Sequence, residues 1–304
     1  MFTRNLPYVR DDKFWVWMNR IITERSVCAV AECDGKIIGH YGILPFDLSV
    51  NGETIHAGHG VHAFTEPEYR QRLFIFKITE VAYKEAQKRG IDLVYGFPNI
   101  NYRLIQEKIE KWKRISLFNA YELASIEIAS KPVADMRLEE VDAMDFSDLY
   151  QIDSFLDISK KSSVYIKKSA RFWLERYYLH PQSLYKIYRI LKVNELVGYV
   201  VLKHYRSETE RRLHIVDYVI CDNELTADFL HTFLLYAKDK CDKVCVWKGD
   251  EDFEREIIAN GFNATGFDTF LGIKFLNEYL SDEIRNTLLN FANWRLVMGD
   301  SDAF

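Results

Sequence analysis

The chain reads as an α/β protein of two successive domains, on three observations. Residues 60–112 run strand, helix, strand, helix. The same order returns in the second half. At 304 residues, 48% hydrophobic and 28% charged, there is apolar sequence for two cores of ordinary size.

In the first half, residues 61–65 have the side chains of a strand end. Residues 74–88 place apolar side chains at 74, 75, 78, 81 and 82, the spacing of one helix face, and Arg89-Gly90 supplies the cation and glycine that favour a stop. Residues 91–96 form the next strand, Pro98-Asn99 ends it, and a more polar helix runs to Lys111. The strand–helix–strand crossover is right-handed by default. A strand ends at 117–123, the domain closes near 121–128, and Ser130-Lys131-Pro132 breaks continuation, giving domains of 1–133 and 134–304.

In the second half, residues 139–180 read as helices rich in aromatics, including Phe155, Tyr165, Phe172, Trp173, Tyr177 and Tyr178. Strands follow at 185–191, 197–204 and 213–221, then a helix at 226–240, a strand at 243–247 and a helix at 252–260. Glu195-Leu196-Val197-Gly198 corresponds to the hairpin Gly35-Lys36-Ile37-Ile38-Gly39, and Phe262 to Trp112. The likeness is architectural rather than literal.

Composition narrows the function. A net charge of −5 with scattered rather than striped cations argues against a nucleic-acid partner. No apolar run reaches the roughly 18 residues of a membrane span, and the Met1-Phe2-Thr3-Arg4-Asn5 start leads to Pro7, Arg10, Asp11 and Asp12 rather than to a signal-peptide core, so a cytoplasmic location is expected. Five cysteines, Cys28, Cys33, Cys221, Cys241 and Cys245, read as small buried hydrophobes rather than a disulfide framework.

A strand that feeds directly into a helix leaves the first-turn N–H groups open to an anion such as phosphate. Around that junction stand Pro67-Glu68-Tyr69-Arg70 and Gly96-Phe97-Pro98-Asn99. At these residues the chain resembles the GNAT acyltransferases, in particular a branch with this turn and this strand end that is ascribed to acetylation in cell-envelope sugar pathways. The resemblance implies two tandem GNAT-like domains, each a mixed, largely antiparallel sheet flanked by helices. It implies acetyl-CoA as co-substrate, with Arg70, Gln71, Arg72, Leu73, Phe74 and Ile75 around the pyrophosphate, Ala63, Phe64 and Thr65 beside the pantetheine arm, and Asn99 holding the cofactor or the splayed strands. It implies an amine acceptor, with an amino sugar as the specific expectation.

The chain departs from the family at the phosphate loop, where Leu73 and Ile75 replace glycines that normally let backbone approach phosphate and adopt dihedrals costing other residues about 1–2 kcal/mol. Acyl transfer to an amine needs a proton acceptor, a proton donor and a backbone N–H near Phe64 for the oxyanion. Glu66 and His62 are candidate acceptors, against the plainer readings of a solvated carboxylate and a hydrogen-bonded strand histidine. The family's usual acid, a tyrosine, falls here at Gln106 or Glu107; Tyr102, one turn earlier, is the substitute, against a packing role. Some relatives use the terminal carboxylate, here that of Phe304. His56, His59 and His62 are of zinc-ligating type but have the wrong strand spacing, so no metal is expected. Phe14, Trp15 and Trp17 suit a core or the wall of an acceptor site. In the second domain Cys221-Asp222-Asn223-Glu224 stands where a phosphate loop would be, with two acids and no glycine, so no cofactor is expected there. Two other readings remain: a Fem-type transferase using aminoacyl-tRNA, and a GNAT-fold binding or assembly module without catalysis.

Overall fold

The structure is a computed structural model that describes residues 13, 14, 16, 17, 26–72, 74–129, 135–158, 162–182 and 184–302. It divides into two compact units that are discontinuous in sequence: Met1–Phe118, Val164–Lys167 and Thr269–Asn293 form the first, and Asn119–Ser163, Lys168–Asp268 and Trp294–Phe304 the second. The domain boundary expected between residues 133 and 134 lies outside the described residues. Trp15, Leu73 and Phe304 lie outside them as well.

The first unit opens with β1 (Val27–Cys33), β2 (Lys36–Pro45), β3 (Leu48–Val50), β4 (Glu53–Ile55) and β5 (Ala57–Thr65). A 3-10 turn (Pro67–Arg72), α1 (Phe74–Lys88), β6 (Leu93–Gly96), α2 (Ile100–Lys108) and the start of β7 (Lys113–Ala124) follow. Its strands lie in the order β1-β2-β5-β6-β14-β7, where β14 is Asn263–Phe275 returning from late in the chain. β1–β2, β2–β5 and β6–β14 pair antiparallel, and β5–β6 pair parallel. Asp34-Gly35 and Asn51-Gly52 hold both central residues of their hairpin turns at positive φ, the mirror-image turn that matches strand twist.

The helix expected over 74–88 has those bounds, but its buried stripe is Ile78, Thr79, Ala82, Tyr83 and Ala86, with Val81 turned outward. Small side chains at 82 and 86 let the helix settle on the sheet beside Tyr41, Ile43, Val94 and Trp112. Four hydroxyl and indole donors of this core converge around one carboxylate. Glu110 receives the Tyr83 hydroxyl at 2.7 Å, Tyr102 at 2.9 Å and Thr79 at 3.1 Å, while Trp112 Nε1 donates to Tyr83 at 3.0 Å. The N-ζ group of Lys274 on β14 donates to the Glu110 carbonyl at 2.6 Å.

The second unit contains the end of β7, β8 (Met136–Glu140), α3 (Phe146–Ile158), α4 (Ala170–Trp173) continued as a π segment (Leu174–Tyr178), and β10 (Tyr185–Lys192). It continues with β11 (Glu195–Arg206), β12 (Arg211–Ile220), α5 (Thr226–Ala237), β13 (Lys243–Val246) and α6 (Glu251–Ala259). The sheet order is β7-β13-β12-β11-β10-β8, with β12–β13 parallel, the counterpart of β5–β6. The chain is therefore α/β, with each unit a mixed, largely antiparallel sheet flanked by helices. Residues 139–180 are not all helical. β8 begins at Met136, and β9 (Val164–Ile166), which belongs to the first unit, forms a three-residue strand because it pairs with β3. α7 (Asp282–Leu289) follows β14 in the first unit.

Two stability predictions follow. A Cβ at Gly60 would stand 2.4 Å from the Tyr41 hydroxyl and 3.2 Å from Val94, both buried, so Gly60→Ala lowers unfolding free energy by about 1–3 kcal/mol in urea melts. Burial depresses the His40 and His214 imidazoles to about 4 and His180 to about 3. An unfolded chain takes up these protons from its ordinary value of about 6.5 downward, whereas the folded chain does not until the lower values. Their stabilising contribution is complete above about pH 6.5 and declines as pH falls toward 4. Urea-derived stability should drop over that window with a shallower slope in His40→Gln.

Candidate active site

The site begins where two parallel strands part. β5 and β6 pair over only Ala57↔Leu93, Gly58↔Val94 and His59↔Tyr95, after which β5 continues to Thr65 and β6 ends at Gly96. The His59 ring stacks on Tyr95 with 5.3 Å between centroids and 2° between planes, and Phe97 meets it edge-on, which gives the parting point an aromatic base.

A β-bulge accompanies the parting. Phe64 pairs with His40 and Val61 with Gly42, so His62 and Ala63 together face only Tyr41. His62 takes up the extra residue at φ +54°, a left-handed conformation uncommon for a residue with a side chain. His40 supports it: Nδ1 lies 3.0 Å from the His62 carbonyl, which can only accept, so Nδ1 carries the proton and Nε2 accepts the Cys28 thiol at 3.1 Å. Its lowered pKa keeps that tautomer neutral at pH 7.

The bulge sets which backbone groups face the opening. Glu66 N–H donates to the Ile38 carbonyl at 2.8 Å, and Phe64, two residues earlier, stands opposite His40. Antiparallel pairing alternates, so Thr65 between them turns its N–H and C=O away from β2, toward the side vacated by β6. Its carbonyl receives Arg70 Nε at 3.1 Å.

From the other side, Asn99 Oδ1 caps α2 by accepting Asn101 N–H at 3.1 Å and Tyr102 N–H at 3.0 Å. Between the two walls is a cleft of about 350 Å³ lined by Ala63, Phe64, Thr65, Arg70, Ile75, Asn99, Asn101, Tyr102 and Ile105. Seven candidate residues from the sequence thus share one cavity. Asn101 and Ile105, not singled out there, are a helical turn apart on α2, on the side of Tyr102. Their mutual i, i+4 spacing on a helix capped by Asn99 was the available signal.

The other candidates stand elsewhere. His62 is buried in the bulge, and Glu66 follows the last residue of β5, half-buried, outside the cleft lining. Phe74 packs on Tyr69 with centroids 6.3 Å apart. Gln71 and Arg72 lie in the 3-10 turn, and their side chains are outside the described residues. The Tyr102 hydroxyl donates to Glu110, and burial beside that carboxylate raises its pKa well above the usual range. His56 pairs with Asp47 at 3.2 Å, so the rings of His56, His59 and His62 have separate surroundings.

The missing glycines have a definite geometry. Among the described residues from 63 to 76 none has positive φ, so the turn and the first residues of α1 make no demand that Ile75 fails. Its side chain remains: a half-buried apolar group lines the cleft where the family resemblance implies phosphate.

Residues 3–108, about a third of the chain, match the family model described as an acetyltransferase (GNAT) domain. No curated protein matches the chain. Among solved structures it is similar to a GCN5-related N-acetyltransferase from Anabaena variabilis, with TM-score 0.63, 17% identity, and coverage of 86% of this chain and 66% of that one. A probable N-acyltransferase from Enterococcus faecalis gives TM-score 0.66, 10% identity and coverage of 88% and 66%. An N-myristoyltransferase from Saccharomyces cerevisiae, solved with bound myristoyl-CoA, gives 0.56, 8%, and coverage of 80% and 68%. The chain spans 66% of the length of the first two of these proteins. At these identities the likeness is one of fold: the chain has the GNAT fold, and its opening third matches a GNAT acetyltransferase domain.

Proposed function

We propose that the first unit is an acyl-CoA-dependent N-acyltransferase, with acetyl-CoA as donor and an amine, specifically an amino sugar of cell-envelope polysaccharide, as acceptor. The observation that carries the reading is the cleft at the parting of β5 and β6, with the Thr65 backbone turned toward it. The GNAT domain match and the acyltransferase neighbours support it.

The residues suit the donor unevenly. The free flank of β5 and the apolar wall of Ala63, Phe64 and Ile105 fit a pantetheine arm, and Arg70 is the cation at the phosphate end. When bound, the coenzyme supplies an activated thioester carbonyl. The acceptor nitrogen forms a C–N bond to that carbon, the C–S bond breaks, one proton leaves the amine and one reaches the sulfur. Thr65 N–H donates to the developing oxyanion. Glu66, at the end of β5, takes the amine proton through water, with His62 as the second candidate. Tyr102 is the candidate donor to sulfur, a role in which its hydroxyl turns from Glu110 to the leaving thiolate and is reprotonated from solvent afterwards. In this reading the protein works in the cytoplasm; among the described residues no helix is long and apolar enough to cross a membrane.

A second reading, a binding module without turnover, is favoured by Ile75 in the cleft and by the engagement of Arg70 with the Thr65 carbonyl. Calorimetry with acetyl-CoA, followed by thiol release assayed over a panel of amino sugars, separates the two. The enzyme reading expects saturable binding, stabilisation of about 2.7 kcal/mol at roughly 100-fold the dissociation constant, and amine-dependent thiol release. Binding without release across the panel contradicts the amino-sugar acceptors, and no binding contradicts the donor and favours the module. Asn99→Ala, which removes the α2 cap, should cost about 0.5–2 kcal/mol of stability and weaken coenzyme binding, as read by melts and calorimetry.

A further inference from the structure

The second unit repeats the geometry that opens the cleft of the first. β12 and β13 pair parallel only over Arg212↔Lys243, Leu213↔Val244 and His214↔Cys245, and β12 then continues to Ile220 paired with β11 but no longer with β13. Its pairing with β11 shifts by one residue at Val216, between Ile215↔Leu202 and Asp217↔Val201, as β5 shifts against β2. Asp250 caps α6 by accepting Phe253 N–H at 2.9 Å, as Asn99 caps α2. Parting strands, a bulge and a capped helix recur in the same order.

The space between these strands holds residues 294–301 of the same chain. Leu296 bridges to Gly249, three residues past β13, with N–H to carbonyl distances of 2.9 and 3.0 Å in the two directions. Arg295 donates to the Tyr218 carbonyl of β12 at 2.7 Å and lies over the Tyr218 ring at 4.8 Å. The turn Met298–Asp300 packs on β12, and Trp294 and Leu296 are fully buried. Lys168, whose side chain is 3% exposed, locks the segment in place with Nζ at 2.6 Å from Asp300 and 2.7 Å from Asp217 of β12. Tyr177 donates to the same Asp217 at 2.8 Å, and Gly299 passes so close that a Cβ would stand 2.1 Å from the Tyr177 hydroxyl.

We infer that residues 294–301 are a built-in peptide ligand of the second unit's cleft, occupying the place that a thioester carrier would take there, so that the chain offers a single donor site. The segment uses the contacts an extended ligand uses on an open strand: paired backbone groups at Gly249, a side-chain donor to a strand carbonyl, and a buried ion pair that fixes its register. The equivalence of the two clefts as donor sites rests on the function proposed for the first unit; the seating of the segment does not.

Hydrogen exchange read by mass spectrometry on the full chain tests the seating directly. Amides of 294–301 should exchange as slowly as those of β12. In Gly299→Ala, and independently in Asp300→Asn, exchange of the segment and of 216–220 should quicken at least tenfold while β5 and α1 keep their wild-type rates, which shows that the variants are folded. Wild-type exchange of the segment at the rate of unstructured peptide, or variants that leave it unchanged in a folded chain, overturns the inference. Calorimetry adds a second readout: more than one equivalent of acetyl-CoA bound per chain overturns it. Zero equivalents with the slow exchange intact counts against the coenzyme reading of the first unit alone.

Discussion

The one extra residue in β5 is the constraint on which the candidate site depends. An antiparallel pair carries equal numbers of residues on both strands, and inserting one forces a local bend with a changed direction of hydrogen bonding. Here that residue is absorbed by His62 in a left-handed conformation, held by a neutral His40 whose own second nitrogen is engaged by Cys28. Beyond the bulge β5 has parted from β6, and Thr65 presents its backbone to the gap. The strain of a histidine at positive φ, of order 1–3 kcal/mol, is offset by the carbonyl-to-imidazole bond and by burial around it.

The two units make different use of the same parting of strands. In the first, small and apolar side chains from β5 and α2 leave a cavity, and the polar groups at its edge are tied back to the scaffold: Asn99 to the α2 amides, Tyr102 to Glu110, Arg70 to Thr65. In the second, residues 294–301 engage the Tyr218 carbonyl of β12 and the backbone of Gly249, and Asp300 is neutralised by Lys168 inside the protein. A buried lysine between two aspartates costs desolvation that only close contacts on both sides repay. Such an arrangement specifies one seating of the segment more than it adds stability.

The sequence made the local elements readable and left the long-range ones hidden. α1 could be bounded because its spacing, and the Arg89-Gly90 stop, are contained within the helix itself. Its buried face could not, since which apolar residues turn inward depends on the sheet it meets. β14 is hidden in the sequence because its partner β6 lies far back in the chain, and β9 because three residues carry no pattern. Ala63 to Thr65, Arg70, Ile75, Asn99 and Tyr102 were offered by the family resemblance rather than by any local pattern; they line one cavity because strand end, turn and helix cap are consecutive. The bulge was not legible, since nothing about a histidine announces positive φ. Asp300 has no evident role in the sequence, since it acquires its meaning from Lys168, remote along the chain.

The central claim is that the parting of β5 and β6 builds a donor cleft in the first unit. Its most direct test is the difference in hydrogen exchange between the protein alone and with saturating acetyl-CoA, resolved along the chain. The account predicts slowed exchange confined to residues 61–76 and 97–105, with the Thr65 amide among the slowed sites and 213–220 unchanged. Protection elsewhere with none at 61–76, or no protection at all, would contradict it.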